Sequence, residues 1–355
     1  MMSAPIDTTA PIRHGEELNV AALESYLHNT IDGADGALSI EQFPSGHSNL
    51  TYLLRFGNRE LVLRRPPFGS KVKSAHDMGR EFKVLSKLSP VYAPAPRPLV
   101  YCEDESVIGA KFYVMERIKG VIFRSKKPAD LITTPELVRG CCKSMIENLA
   151  DLHALDYKAI GLGELYKGDH YVERQVNGWA ERYKGSQTDD ISDVDQAFAW
   201  LKERIPADTG AVLVHNDYKF DNVVLNPDDI SKIIGVLDWE MATIGDPVAD
   251  LGTMLGYWIE PDDDAMKVVQ CFMTTEAGAL SRKQLAEIYA ARTGRDISNI
   301  LYYYVLALLK LAVIVQQIYY RYKQGLTHDE RFASMIFMVG ILGQKAISSI
   351  KSGRV

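Results

Sequence analysis

Leu18, Ala22, Tyr26 and Leu27 recur at helical spacing within Glu16–Ile31, so a helix is predicted to lead into the chain. From Leu38 to Leu63 the texture changes to short strand-like runs, among them "NLTYLLRFG" and "RELVLRR", joined by Gly57-Asn58 as a hairpin turn. The stretch Ala75–Ser89 is helical again, with Met78, Phe82 and Leu85 on one face. A Pro-rich connector, "APAPRPLV", then leads to two more strand-like pieces, "LVYC" and "KFYVMERI". This first part reads as β-β-α-β-β. Past Gly120 helical periodicity dominates, as in "LVRGCCKSMIENLADLHALD". The strand-like exceptions there are "AVLVHND", "NVVLNP" and "KIIGVLDWE". A small sheet-rich part is thus expected to precede a larger helical one, with no internal repeat or low-complexity segment.

A chain of 355 residues exceeds the size at which one core keeps growing, which also favours two lobes. Its 46% hydrophobic and 24% charged content is that of an ordinary globular protein. The net charge of −6 and the lack of a basic stripe interleaved with aromatics give no basis for binding nucleic acid. Cys102, Cys141, Cys142 and Cys271 lack paired metal-site spacing and suggest no disulfide framework, so a reducing, cytoplasmic setting is expected. The N-terminal "MMSAPIDTTAPIRHGEEL" does not read as a secretory signal. The most apolar stretch, "ILYYYVLALLKLAVIV" (Ile300–Val315), carries Lys310 and precedes two glutamines. It is expected to be a buried helix with no membrane contact, since a span needs roughly 20 apolar residues.

Candidate chemistry concentrates in "VHNDYKFDNVVL". Phosphoryl transfer needs a metal held by oxygen ligands, a base for the incoming hydroxyl, and cations on the phosphates. His215, Asp217 and Asn222 fit H-x-D-x-x-x-x-N, and Lys219 sits two residues after the aspartate. Further on, "GVLDWE" puts Asp238 at the end of an apolar run, where a strand would present a second carboxylate to a metal. No G-x-x-x-x-G-K-[ST] occurs, which excludes a Walker-type site.

Through "HNDYKFDNVVLNP" and "IIGVLDWEMATIGDPVADLG" the chain resembles the aminoglycoside phosphotransferase-type branch of the protein-kinase-like fold. It is similar in particular to kinase-like domains found with acyl-CoA dehydrogenase modules. The resemblance runs from about Leu38 to the end and is strongest between Val214 and Gly252. It implies an α+β, bilobal protein-kinase-like fold with a small antiparallel-sheet N-lobe and a larger helical C-lobe. The corresponding division is residues 1–37 as an extension with a helix, 38–118 as the N-lobe and 119–355 as the C-lobe.

The same resemblance implies roles. Asp217 would orient or deprotonate the acceptor hydroxyl, and Asn222 and Asp238 would hold Mg²⁺ against the phosphates of ATP. Lys219 would neutralise the transferring phosphate, His215 would support the loop, and Asp250 would brace it from the start of a helix. In the N-lobe, the backbone of Ser45, Gly46, His47 and Ser48 would cradle phosphates, although "PSGHSNLTYLL" is not G-x-G-x-x-G. Arg64 stands where the family usually has lysine, with Glu81 as partner, and Arg65 is the neighbouring alternative. Met115 in "YVMERI" would line the base pocket.

The expected activity is ATP- and Mg²⁺-dependent phosphorylation of a small-molecule hydroxyl acceptor, a hydroxyacyl compound in the first reading. An aminoglycoside or amino-alcohol kinase and a non-catalytic, nucleotide-binding pseudokinase stand as alternatives. Glu260, Asp262, Asp263 and Asp264 would either attract an amine or, after Pro261, mark a helix N-terminus. Trp179, Tyr183, Tyr257, Trp258 and Tyr302 to Tyr304 would either line an apolar acceptor site or pack between helices. No motif specifies an oligomeric state.

Overall fold

The computed structural model describes residues 6–44, 49–68, 77–128, 131–263, 266, 271–327 and 329–355. It divides into two compact units. The first comprises Met1–Ile122, Ile160–Leu162 and Asn222–Ala242. The second comprises Phe123–Ala159, Gly163–Asp221 and Thr243–Val355.

In the first unit, α1 (Val20–Thr30) starts at Asn19, whose side chain accepts from the Ala22 amide at 3.2 Å. Three strands follow, β1 (Leu38–Gln42), β2 (Leu50–Phe56) and β3 (Arg59–Arg65). After α2 (Met78–Leu88) come β4 (Pro98–Cys102) and β5 (Phe112–Glu116), giving an antiparallel sheet of order β1-β2-β3-β5-β4. The pattern is therefore β-β-β-α-β-β. One strand more than the reading predicted is present because "LSIEQ" is only five residues long and buries little besides its two ends. Gly57 takes φ 57°, the left-handed conformation that a tight hairpin turn needs and glycine adopts freely.

Strand alternation sorts the side chains of this sheet. Tyr52, Leu54, Leu61, Leu63, Phe112 and Val114 form a core with Leu23 and Leu27 of α1. On the register of the central strands, Val62 and Arg64 lie opposite Met115 and Tyr113. That second face meets α2, where Phe82 and Tyr113 rings lie 6.2 Å apart. A short hairpin, β7 (Val223–Leu225) with β8 (Ile233–Val236), completes the unit.

The second unit is helical: α3 (Pro135–His153), α4 (Tyr171–Ser186), α5 (Ser192–Glu203), α6 (Pro247–Gly256), α7 (Arg282–Thr293), α8 (Ile300–Lys323) and α9 (Met335–Ser352). Between them β6 (Val212–Val214) pairs with β9 (Thr243–Gly245), a three-residue strand that carries no periodic signal of its own. Helix α8 packs against α4, α5, α6 and α9. Among the described residues, Ile300–Lys323 and Glu330–Ser352 are long and apolar enough to cross a membrane. In the first of these 67% of the most apolar window is buried within the protein, against 28% in the second.

Two members of the acidic run after Trp258, Glu260 and Asp263, point into the protein. Asp263 is buried, pairs with Arg282 at 2.7 Å, and also accepts from Lys345. Glu260 reaches the same guanidinium at 2.9 Å. These two carboxylates thus serve an internal ion-pair network rather than an open amine site, and Glu260 also accepts from the Arg282 amide at 2.7 Å at the start of α7. Residues 264–265 and 267–270, where a helix after Pro261 would run, lie outside the described residues. Of the helical-unit aromatics, Tyr183, Trp258 and Tyr302 to Tyr304 are buried packing residues.

Candidate active site

In the first unit, the alternation of β3 turns Arg64 toward α2 and Arg65 toward the opposite face. Helix α2 begins at Asp77, whose carboxylate accepts from the Arg80 amide at 2.9 Å, and this start places Glu81 on the buried side. The Arg64 guanidinium donates to Glu81 at 2.8 Å and to Asp238 Oδ1 at 2.9 Å. Burial raises the Glu81 carboxyl, and the Arg64 charge opposes that rise. Arg65 is also buried but donates to the carbonyl of Ile108 at 3.0 Å, away from this group. Met115 is buried on the sheet face that carries Arg64.

The β7–β8 hairpin sets the remaining pair. Val223 pairs with Val236, and the Leu237 amide donates to the Asn222 carbonyl at 2.8 Å. Asn222 and Asp238 therefore stand at the same end of one hairpin. Asp238 takes φ 68°, and the following Trp239 amide donates to Glu81 at 3.1 Å. An amide and a carboxylate are hard oxygen donors, the kind Mg²⁺ takes together with nucleotide phosphates. The Asp238 side chain, paired with Arg64, is still 27% exposed, and this donor set fits such an ion. Asn49 donates to Glu240 at 2.6 Å just beyond this segment. Ser45 to Ser48, the candidate phosphate cradle, lie outside the described residues.

In the second unit, β6 delivers the loop that begins at His215. Asp250, in the first turn of α6, accepts from the amides of His215 and Asn216, each at 2.7 Å, and from His153 Nε2 at 3.1 Å. Burial alone would raise the Asp250 carboxyl, but these donors and the nearby histidines outweigh it and hold the group below its usual value. His215 is fully buried, and its Nδ1 accepts from the Asp217 amide at 3.2 Å. Tyr218 anchors the loop through its hydroxyl, which donates to Asn148 at 2.9 Å.

Asp217 is held at its tip. Its Oδ1 accepts from the Tyr257 hydroxyl at 2.6 Å and from Lys219 at 3.1 Å. The Lys219 ammonium also lies 4.5 Å from the centre of the Tyr257 ring. Lys219 and Tyr257 line a recess of about 350 Å³, counted with its open mouth, together with Asp221, Met254, Trp258 and Cys271. Burial raises the Asp221 carboxyl, with Lys219 and Arg124 opposing. The structure thus gathers His215, Asp217 and Lys219 in the second unit, and Arg64, Glu81, Met115, Asn222 and Asp238 in the first.

Tyr257 as the partner of Asp217 is not legible in the sequence, where it reads as one aromatic among several. Lys310, which donates to the Asn216 carbonyl, had one signal: it is the sole charge in an apolar run.

Residues 39–279 match the phosphotransferase enzyme family. The chain is similar to acyl-CoA dehydrogenase family member 11 of Rattus norvegicus, 35% identical over 329 residues, covering 91% of this chain and 42% of that protein. It therefore spans less than half that relative's length. Among solved structures, a presumed aminoglycoside phosphotransferase from Ralstonia eutropha matches with TM-score 0.77 and 29% identity over 94% of this chain and 99% of that one. A thermostable aminoglycoside phosphotransferase mutant, in ternary complex with AMP-PNP and hygromycin B, matches with TM-score 0.60 and 18% identity over 92% and 98% of the two chains. The architecture is the α+β protein-kinase-like fold, with a smaller antiparallel-sheet lobe and a larger helical one.

Proposed function

Because the chain belongs to the phosphotransferase enzyme family, we propose that it moves the γ-phosphate of ATP onto a hydroxyl of a small molecule with Mg²⁺, the acceptor being an apolar hydroxyacyl compound. The observation that carries this reading is the setting of Asp217, whose carboxylate is held by Lys219 and Tyr257, both on the wall of the recess. A carboxylate fixed in that way can orient an incoming hydroxyl and take its proton as the oxygen attacks phosphorus. Lys219 offsets charge on the transferring phosphate. Asn222 and Asp238 would hold Mg²⁺, whose charge would offset that of the nucleotide phosphates. Arg64, fixed by Glu81, supplies the cation on the nucleotide side.

The use of ATP draws support from the AMP-PNP complex of the kinase-like neighbour. Met254 and Trp258 border the recess but are almost wholly buried, so the acyl acceptor draws its support from the acyl-CoA dehydrogenase name of the relative. Asp221 on the same wall favours a second reading, an amine-bearing acceptor such as an amino-alcohol or aminoglycoside.

ADP release measured against hydroxyacyl thioesters, amino-alcohols and aminoglycosides tests the proposal. Stimulation by hydroxyacyl compounds supports it, and stimulation by amines alone moves the acceptor to the second reading. Binding of Mg²⁺-ATP with no stimulation by any acceptor class would leave a nucleotide-binding scaffold instead.

A further inference from the structure

Lys310 of α8 is 6% exposed, and its ammonium donates to the backbone carbonyl of Asn216. Asn216 immediately precedes Asp217 and has φ 65°. A left-handed residue other than glycine persists only where its surroundings hold it. Three helices do so here. From α6, Asp250 Oδ1 accepts the Asn216 amide at 2.7 Å. From α4, the Tyr171 hydroxyl donates to the Asn216 side-chain oxygen at 2.9 Å. From α8, Lys310 binds the carbonyl, so every polar group of Asn216 backbone and the side-chain oxygen has a fixed direction.

A neutral donor would satisfy the same carbonyl without the desolvation that a buried ammonium suffers. What the ammonium adds is positive charge beneath the turn that carries Asp217. The charged groups around it are Asp217 and Lys219 on the loop, Asp250 on α6 and Arg182 on α4. The Trp179 ring of α4 lies 5.9 Å away. The two carboxylates favour the ammonium, and the two cations oppose it.

We propose that Lys310, in its ammonium form, is a positioning residue for phosphoryl transfer that locks the Asn216–Asp217 turn and so aims the Asp217 carboxylate. This rests on Asp217 acting on the acceptor. Burial pushes the Lys310 amine down to about 8. The folded protein therefore releases this proton at a lower pH than the unfolded chain, whose lysine keeps its ordinary value of 10.5. Between those values the unfolded state binds more protons, so this group makes stability rise with pH while the charge-assisted bond to the Asn216 carbonyl weakens to a neutral one. A purely structural lysine would not separate the two trends.

The test compares wild type with Lys310→Met, and with Lys310→Gln as a neutral donor, between pH 6.5 and 9.5. Turnover, KM for ATP, thermal stability and pulsed hydrogen exchange of the 215–217 amides are read for each. Lys310→Met should lower kcat by about 10²-fold, the scale of a small misplacement of a reacting group, with KM for ATP nearly unchanged. Both variants should lose the alkaline limb near pH 8, and the loop amides should exchange faster than in wild type below that pH but not above it. Persistence of the limb in both variants, or loop exchange equal to wild type at neutral pH, would overturn the proposal. If wild type phosphorylates no acceptor, the phosphotransferase reading fails by itself, and the exchange arm still decides whether Lys310 locks the turn.

Discussion

Arg64 and Arg65 are adjacent in sequence and stand on opposite faces of one strand, so their substitutions should fail differently. Arg64→Ala strands the buried Glu81 and frees Asp238 from its guanidinium. It should weaken Mg²⁺-ATP binding at least tenfold and cost about 3–5 kcal/mol of stability, the range for breaking a buried pair. Arg65→Ala leaves the Ile108 carbonyl without its donor. It should leave ATP affinity within about twofold yet cost roughly 1–3 kcal/mol, the desolvation of an unsatisfied buried group. Calorimetry beside denaturant unfolding checks both. The Arg64–Glu81 pairing was legible only through the family resemblance, in which a strand cation pairs with a helix glutamate. The reach of Arg64 to Asp238 was not, since 174 residues separate them and only the fold brings them together.

Among elements, the loop that begins at His215 and the strands β7 and β8 were legible because each is a contiguous run in which apolar residues end in polar ones, while the pairing of β7 with β8 was not. The strands β1 and β9 were not: the first buries only its two ends, and the second has no apolar alternation of its own. Helix packing was legible only as periodicity, without its partners. Gly252 shows why: an added Cβ there would sit 2.7 Å from Tyr303 Cβ and 2.8 Å from its carbonyl, so α6 and α8 approach where a side chain has no room. Gly252→Ala should therefore destabilise by about 1–3 kcal/mol through overpacking, measured by denaturant unfolding, and an unchanged midpoint would contradict that crossing. Asp250 ties α6 to the loop, and its depressed carboxyl adds an acid limb to stability. The contribution is complete above the ordinary aspartate value, about 3.9, and is lost as pH falls through the lower folded value. Asp250→Asn should reduce stability at pH 7 and flatten its decline below about pH 4. An equal decline in variant and wild type would show that other carboxylates carry that limb.

At the scale of the whole molecule, the chemistry is divided. Asn222 and Asp238 belong to the sheet-rich unit, and Asp217 belongs to the helical one. The chain spans 42% of its rat relative's length. Mg²⁺-ATP should raise the melting temperature beyond Mg²⁺ alone, because a ligand of the folded state stabilises it by mass action. The most direct measurement of the central claim compares Asp217→Asn with Asp238→Asn by calorimetry of ATP with and without Mg²⁺, beside single-turnover phosphoryl transfer. Asp217→Asn keeps the shape but cannot take a proton, so it should bind Mg²⁺-ATP as wild type does and lose turnover by ~10²-fold or more. Asp238→Asn removes the negative charge of the proposed metal ligand and should lose the Mg²⁺-dependent part of ATP binding together with turnover. Loss of nucleotide binding in Asp217→Asn with retention in Asp238→Asn would contradict the assignment of both residues.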